Sequence, residues 1–175
     1  LKIYLGDTKN YKLIKKIFKD AKKDKRIISG LVNNAGIRFR KSFLKITKKN
    51  IYEVFDNNFF SVFNIIQEYV KYLGNKNFKN CSIVNIGSIV GKEGFAELSA
   101  YGSTKSALTG LTKCLSKELA KKKIRVNIIN PGFIKTSYFK SFAKKKKLYN
   151  WTLSKIPNGK WGNSEDISQF VIFLL

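Results

Sequence analysis

A tyrosine and a lysine stand four positions apart, at Tyr101 and Lys105, and this pair could transfer a proton. On a helix, residues four apart lie on the same face. A free tyrosine has a pKa of about 10, which is too high for efficient proton transfer near neutral pH, and a nearby ammonium group lowers that pKa. The spacing therefore indicates a general acid–base pair, although the pair alone also fits a chance coincidence in a chain rich in both residues.

Further polar or small residues follow three apolar runs. Residues 33–36 (Asn-Asn-Ala-Gly) follow the first run, Gly87 and Ser88 the second, and residues 130–132 (Asn-Pro-Gly) the third. In an open parallel sheet, ligands bind outside the carboxyl ends of the strands. We therefore expect these three loops to open into one crevice.

The elements that must position these residues alternate along the chain between short apolar runs and longer stretches of helical periodicity. This alternation predicts an α/β fold, a parallel sheet with helices on both faces, in a single domain over residues 1–175. The predicted strands are residues 1–5, 27–32, 81–86 and 125–129. The predicted helices are residues 10–22, 48–73 and 101–121, and a last helix with Ser164 as its N-cap.

Composition limits the possible partners of this chain of 175 residues, whose formal net charge is +24. Only four of the 35 basic residues are arginine, the residue that base and bidentate phosphate recognition favour. We therefore interpret the lysines as residues of solvated helix faces rather than as a nucleic-acid binding site. The best candidates for an anion-attracting patch are residues 121–123 and 144–147. No apolar run is long enough to cross a membrane, and with two cysteines and no histidine we expect no metal site and a reducing, cytoplasmic environment.

The order and spacing of these pieces together resemble the short-chain dehydrogenase/reductase family, over residues 7–175. The resemblance implies a Rossmann-like doubly wound sheet and the interconversion of a ketone and a secondary alcohol with NADP or NAD, of which NADPH is preferred. It implies that Tyr101 is the acid/base, that Lys105 lowers its pKa and holds the nicotinamide ribose, and that Ser88 binds the substrate oxygen. Asn58 resembles the asparagine that holds a water for proton relay.

The resemblance also implies a set of cofactor-binding residues: Asp7, Asn34, Ala35, Gly36, Tyr101, Lys105, Pro131, Gly132, Ile134 and Thr136. Some of these residues have a plainer interpretation. Asn33 and Asn34 are also common turn formers, Asp7 also suits the start of a helix and Thr136 a helix cap. The neighbour Asn57 could replace Asn58 if the register were shifted by one residue.

The chain departs from the family at both ends. It lacks the pyrophosphate-binding motif TGxxxGxG, and with it the first βαβ unit, and it also lacks the last strand. Gly87, Gly91 and Gly94 imitate a phosphate loop, but they come too late in the chain for a first βα turn. There is no methionine. We therefore expect an internal fragment that holds the cofactor's phosphates weakly.

Within the family, residues 31–37, 83–90 and 156–162 resemble the 3-oxoacyl-[acyl-carrier-protein] reductase type. This likeness implies a carbonyl substrate carried as an acyl carrier protein thioester. It also implies a homodimer or homotetramer formed through the helices 48–73 and 101–121. The alternatives are a sugar or small-alcohol dehydrogenase of the same family, and an inactive fragment that serves only as an oligomerising or binding module.

Overall fold

A computed structural model describes residues 2–74, 80–137 and 139–175, and a three-stranded parallel sheet lies at its centre. Its strands lie side by side in the order β1 (Gly30–Asn33), β2 (Cys81–Ile86) and β3 (Ile124–Ile129). The other elements are α1 (Tyr11–Lys23), α2 (Lys48–Phe55), α3 (Ser61–Leu73), α4 (Val90–Glu93), α5 (Ser99–Glu118), β4 (Ile134–Lys135), α6 (Phe139–Ala143), α7 (Lys146–Ser154), β5 (Gly162–Asn163) and α8 (Ser164–Leu174).

The register of the sheet aligns the carboxyl ends of the three strands. Asn33 pairs with Asn85, and Ile86 pairs with Ile129, so all three strands end within one residue step of each other. This alignment confirms that the three loops after the strands share one edge. β1 begins three residues later than predicted, because its pairing with β2 starts only at Gly30.

One face of the sheet is covered by α1, α3 and α5. The apolar residues that these helices bury against β2 and β3 form the main core: Ile14, Phe18, Val62, Ile66, Tyr69, Leu73, Cys81, Ile83, Leu108, Leu119, Ile124 and Val126. Side chains alternate between the faces of a strand, so Cys81 and Ile83 point into this core while Ser82 points to the other side.

The opposite face of the sheet is covered by α8. The Ser82 hydroxyl donates a hydrogen bond to the carbonyl of Leu174, and Gly30 lies close to Leu175. Helices on both faces are thereby confirmed. The expected N-cap, Ser164, is wrong by one residue: Asn163 caps the helix, and its N–H donates to the Asp166 carboxylate at 2.7 Å.

The predicted helix 48–73 is one continuous run with an irregular centre. Between α2 and α3, residues Asp56–Phe60 form a π-helical turn, which widens the helix at Asn58. π-helical turns occur mostly as single insertions in α-helices, often at functional sites. The capping residue Thr47 accepts a hydrogen bond from the N–H of Asn50 and fixes where α2 begins.

The strand predicted for residues 1–5 is wrong for residues 2–5, and Leu1 lies outside the described residues. A strand needs a partner for its backbone N–H and C=O groups, and no described segment pairs with this one. Side chains attach it to α1 instead: the Tyr4 hydroxyl donates to Asp20, and the Lys2 ammonium to Asp24.

The described residues of 134–137 and 139–163 form a small layer of their own, which the sequence patterns did not predict. β4 pairs with β5 in parallel, and α6 and α7 lie between them in the chain. The buried Trp161 ring packs against Phe133, Phe139 and Phe142. Within the described ranges, no helix is both long and apolar enough to cross a membrane.

Candidate active site

The helix α5 carries Tyr101 and Lys105 on one face, as their spacing predicts. The Lys105 ammonium donates a hydrogen bond to the carbonyl of Ile86, the last residue of β2, at 2.7 Å. The same ammonium lies 5.8 Å from the centre of the Tyr101 ring. Lys105 therefore lies close to the tyrosine ring and is hydrogen-bonded to the end of the central strand.

The protonation of this pair is governed by burial. Desolvation lowers the pKa of Lys105 from 10.5 to about 8. Desolvation also raises the pKa of Tyr101 above its ordinary value, against a hydrogen bond with Ser88 and the positive charge of Arg38, which both lower it. In this arrangement the Lys105 ammonium donates to the Ile86 carbonyl, and the groups that lower the pKa of Tyr101 are Ser88 and Arg38.

Ser88 is buried in the loop after β2 and is held by the loop after β3. Its backbone N–H donates to the side-chain oxygen of Asn130 at 3.1 Å, and the N–H of Ile89 donates to the carbonyl of Pro131. A Cβ atom at Gly87 would lie 2.0 Å from the Asn130 oxygen, so only glycine permits this contact. Sequence reasoning placed Asn130 in a loop at the crevice but did not name it as a site residue, because its partner Ser88 lies 42 positions away.

Asn58 lies in the π-helical turn with its side chain completely buried. Its amide oxygen accepts from the N–H of Ile37 at 2.8 Å, and its amide nitrogen donates to the Ile37 carbonyl and to the Thr104 hydroxyl. The Thr104 hydroxyl donates in turn to the carbonyl of Tyr101. Asn58 therefore connects the loop after β1 to the helix of Tyr101. Asn57 is only half-buried, and its side-chain amide donates to the Glu53 carbonyl on its own helix, so Asn58 is the asparagine that makes these contacts.

Ser88 and Tyr101 open together into a cavity of about 630 Å³. Much of its wall is apolar, formed by Phe95, Leu98, Phe133, Phe142, Leu148 and Trp151 among others. Arg38, Arg40 and Lys147 also line it. A hydroxyl pair at one end of a largely apolar cavity is the arrangement expected where a carbonyl group is bound and polarised.

A second cavity of about 500 Å³ adjoins the first and shares Arg38, Arg40, Gly132 and Phe133 with it. Ile134 and Thr136, two of the predicted cofactor-binding residues, line this second cavity. The carbonyl of Thr136 accepts a hydrogen bond from the N–H of Phe139 in the turn before α6. The structure thus brings Gly132, Ile134 and Thr136 together beside Ser88 and Tyr101.

Asn34 and Ala35 line a third cavity, of about 250 Å³, on the far side of β1. Thr8 lines it too, whereas its neighbour Asp7 is exposed and accepts a hydrogen bond from the Lys9 N–H, which lowers the pKa of its carboxyl group. Asp7 therefore stands near this cavity without lining it.

The remaining loop residues have structural contacts. Asn33 ends β1 and donates to the buried Asn85 side chain at 2.8 Å, so it joins two strands and forms no turn. A Cβ at Gly36 would lie 3.0 Å from the Asn58 amide oxygen and 3.8 Å from the Lys105 ammonium. Gly91 lets α4 contact the backbone of Lys105, which explains one of the glycines that imitate a phosphate loop.

These residues fit one end of a nicotinamide cofactor. The second cavity adjoins the one that Tyr101 lines, and the Lys105 ammonium lies 3.8 Å from where a Cβ at Gly36 would be, so a ribose hydroxyl nearby is within its reach. Hydroxyl and ammonium donors suit a ribose and a carboxamide, which have only polar neutral groups to bind. No glycine-rich pyrophosphate loop is found in residues 1–175, and the residues around the second cavity fit the nicotinamide end.

Comparison with known proteins identifies the family and the fold. A family profile described as Enoyl-(Acyl carrier protein) reductase matches residues 2–175. The 3-oxoacyl-[acyl-carrier-protein] reductase FabG of Thermotoga maritima is 37% identical over 147 residues, which cover 84% of this chain and 58% of that protein. The chain thus spans less than two thirds of the length of this curated relative.

Solved structures superimpose closely. The structure of 4-hydroxyisoleucine dehydrogenase complexed with NADH is 32% identical, with a TM-score of 0.91, and the match covers 99% of this chain and 71% of that one. The structure of ElxO with NADP bound is 30% identical, with a TM-score of 0.89, and covers 99% of this chain and 70% of that one. Both neighbours hold a nicotinamide cofactor, one of each kind.

Proposed function

Because the chain belongs to the short-chain dehydrogenase/reductase family, we propose that it provides the catalytic part of an enzyme that interconverts a ketone and a secondary alcohol with NADP or NAD. The observation that carries this proposal is the convergence of Ser88 and Tyr101 on one cavity, with Lys105 behind the tyrosine ring. These side chains come from two elements, β2 with its loop and α5, which only the fold brings together.

Each side chain has a role that follows from its position. The Tyr101 hydroxyl gives its proton to the carbonyl oxygen during reduction and takes it back during oxidation. The Ser88 hydroxyl donates a hydrogen bond to the same oxygen as negative charge develops there. Asn130 keeps the Ser88 backbone in place, and Asn58 fixes the loop after β1 against the helix of Tyr101.

NADP or NAD, when bound, supplies or accepts the hydride. We propose that Gly132, Ile134 and Thr136 hold its nicotinamide end, and that Lys105 turns from the Ile86 carbonyl toward the nicotinamide ribose. Asn34, Ala35 and Gly36 would flank the adenosine side, with Asp7 near the adenine and Pro131 supporting the nicotinamide loop. A Lys105 that moves in this way comes closer to Tyr101 and then lowers its pKa.

A 3-oxoacyl thioester is the substrate that we propose for this site. The relative from Thermotoga maritima is named for this substrate, and the apolar wall of the larger cavity suits an acyl chain. A polyol would need several hydrogen-bonding side chains, and apart from Ser88, Tyr101 and Thr152 the described wall offers mainly apolar groups and cations. Sugar or small-alcohol oxidation therefore remains the second candidate.

The test is a rate measurement with reduced cofactor and a small 3-oxoacyl thioester, beside the reverse reaction with polyols. Consumption of NADPH or NADH with the thioester supports the proposal, and turnover of polyols alone would replace it with the second candidate. Tyr101→Phe keeps the ring and should lower the rate by at least about 100-fold, because it removes the proton donor. An unchanged rate in this variant would contradict the assigned role.

Assembly into a homodimer or homotetramer is part of the proposal. Tyr52, Phe60 and Phe63 on the helices before Leu73 leave much of their aromatic surface exposed, which a second copy would cover. Light scattering on a size-exclusion column measures the assembly. A chain that assembles but neither binds nor turns over cofactor and substrate would support the third candidate, an inactive oligomerising module.

A further inference from the structure

The larger cavity combines an apolar wall with a positively charged lining. Arg38, Arg40 and Lys147 line it, and none of its described lining residues is acidic. An apolar cavity for a neutral substrate has no need of three cations, whose hydration is reduced when a ligand fills the space.

Arg40 and Lys147 differ in their ion pairs, whereas Arg38 is distinguished by its position. The Arg40 guanidinium donates to the Glu97 carboxylate at 2.8 Å, so most of its charge is already compensated. Lys147 forms no ion pair within the part of the chain that the structure describes, and it follows three other lysines at 144–146. Arg38 lies where the two cavities join.

The position of Arg38 relates its charge to the reacting groups. It lines the cavity that holds Ser88 and Tyr101 and the adjoining cavity that holds Gly132 and Thr136. Its positive charge partly offsets the raising of the Tyr101 pKa by burial, in keeping with this position. An anionic group of a bound molecule would therefore be attracted to a place only a short distance from the carbonyl.

We propose that the substrate carries a negatively charged group, a carboxylate or a phosphate, that Arg38 and Lys147 bind while the apolar part lies against the aromatic wall. This inference rests on the proposed function, since it names the class of carbonyl compound that the same cavity accepts. It also gives a use to the lysine run 144–147, of which one member reaches the cavity. Arg38 and Lys147 are then specificity-determining residues.

The test compares ligands that differ only in charge, by binding to the whole chain without cofactor. The first pair is 3-hydroxyoctanoate and its methyl ester, and the second is 3-hydroxyoctanoyl phosphopantetheine and the same thioester without the phosphate. Quenching of tryptophan fluorescence reports binding, because Trp151 lines the cavity. We expect the charged member of at least one pair to bind about tenfold more tightly than its neutral partner.

The variants Arg38→Gln and Lys147→Gln should each weaken the charged ligand about five- to tenfold and leave the neutral ligand unchanged. Both side chains are exposed at the surface, so neither change disturbs the core. Arg40→Gln should have less than about a twofold effect, because Glu97 already neutralises it. Lys146→Gln is the matched control: it removes the same charge beside the cavity, and it should change neither affinity.

The pair that discriminates identifies the anion. A preference within the first pair alone indicates a carboxylic acid substrate, and a preference within the second pair alone indicates a phosphopantetheine thioester. Equal binding within both pairs, or equal losses for charged and neutral ligands in Arg38→Gln, overturns the proposal. The binding assay needs no turnover, so its result is independent of the reductase assay. Failure of this proposal can therefore be distinguished from failure of the proposed function.

Discussion

At the scale of single residues, the position of Ser88 depends on one close contact between two loops. The Asn130 oxygen accepts from the Ser88 N–H, and the missing side chain of Gly87 makes room for it. A hydrogen bond from a side chain to a backbone N–H holds that backbone more firmly than a solvated turn would. Asn130 is therefore a positioning residue for the proposed substrate-binding hydroxyl.

Gly87→Ala should destabilise the protein by about 1–3 kcal/mol, because its Cβ would overlap the Asn130 oxygen and displace the Ser88 loop. Thermal or urea unfolding measures this loss. Gly110→Ala is the control, since that helical glycine has open space around it and should be neutral or gain up to about 1 kcal/mol. A Gly87→Ala protein as stable as the wild type would show that the loops do not contact each other in this way.

Lys105 gives stability a dependence on pH. Its pKa falls from 10.5 in the unfolded chain to about 8 in the folded one, so the unfolded chain binds the extra proton between these values. The cost of burying the charge is present in full below about pH 8 and is relieved as pH rises toward about 10.5. The stabilising direction is thus toward alkaline pH.

In Lys105→Met, which keeps an unbranched side chain without the charge, this dependence should be absent. Relative to that variant, the wild type should gain at most about 3 kcal/mol of unfolding free energy between pH 7 and pH 10.5, by the linkage of a shift of this size. Urea unfolding of both proteins at each pH measures the difference, in which the common titration of tyrosines cancels. A difference that stays constant with pH would show that Lys105 is solvated.

At the scale of elements, the π-helical turn between α2 and α3 sets which asparagine faces the site. The wider turn directs Asn58 inward, where its amide bonds both backbone groups of Ile37 and the Thr104 hydroxyl. Its neighbour Asn57 donates only to the carbonyl of Glu53 on its own helix. Through Asn58, the turn thus links the loop after β1 to α5 by hydrogen bonds.

Asn58→Ala should therefore cost about 2–4 kcal/mol of unfolding free energy, since it leaves buried groups of Ile37 without partners. Asn57→Ala, the adjacent control, should cost less than about 1 kcal/mol because its side chain is only half-buried and its amide bonds only within its own helix. Chemical denaturation of the two variants side by side measures the contrast. Equal losses of unfolding free energy would contradict this link and would favour the alternative in which Asn57 replaces Asn58.

At the scale of the whole molecule, the net charge of +24 is dispersed over helix surfaces. The described ion pairs involve mostly exposed side chains, each of which contributes little to stability. Repulsion among the lysines then exceeds these attractions and opposes the compact state. Salt screens such repulsion over distances of about 10 Å or less at moderate ionic strength.

The melting temperature should therefore rise by a few degrees between about 20 mM and about 300 mM sodium chloride, as screening weakens the repulsion. Differential scanning fluorimetry is sufficient to follow it. Replacing Lys121 and Lys122 with glutamate lowers the net charge away from every described cavity, so the salt effect should shrink in that variant. A melting temperature that falls with salt would mean that ion pairs dominate instead.

The local pattern of apolar residues in the sequence was sufficient to predict most of the helices and strands. The period of the apolar residues predicted β2 over its full length and the sharing of one face by Tyr101 and Lys105, because these features depend on neighbours within a few residues. The joining of three loops at one edge followed from parallel strands, a rule of topology that needs no coordinates. Residues 2–5 show the limit, since a strand also needs a partner elsewhere in the chain.

What only the tertiary structure decided are the contacts between residues distant in sequence and the burial that they produce. Asn130 meets Ser88 across 42 positions, and Asn58 meets Thr104 across 46, so no local spacing could indicate either bond. Arg38 comes to the cavity of Tyr101 for the same reason. The sequence determined which groups are available for proton transfer, whereas packing decided their protonation, because desolvation acts on a side chain only once the fold surrounds it.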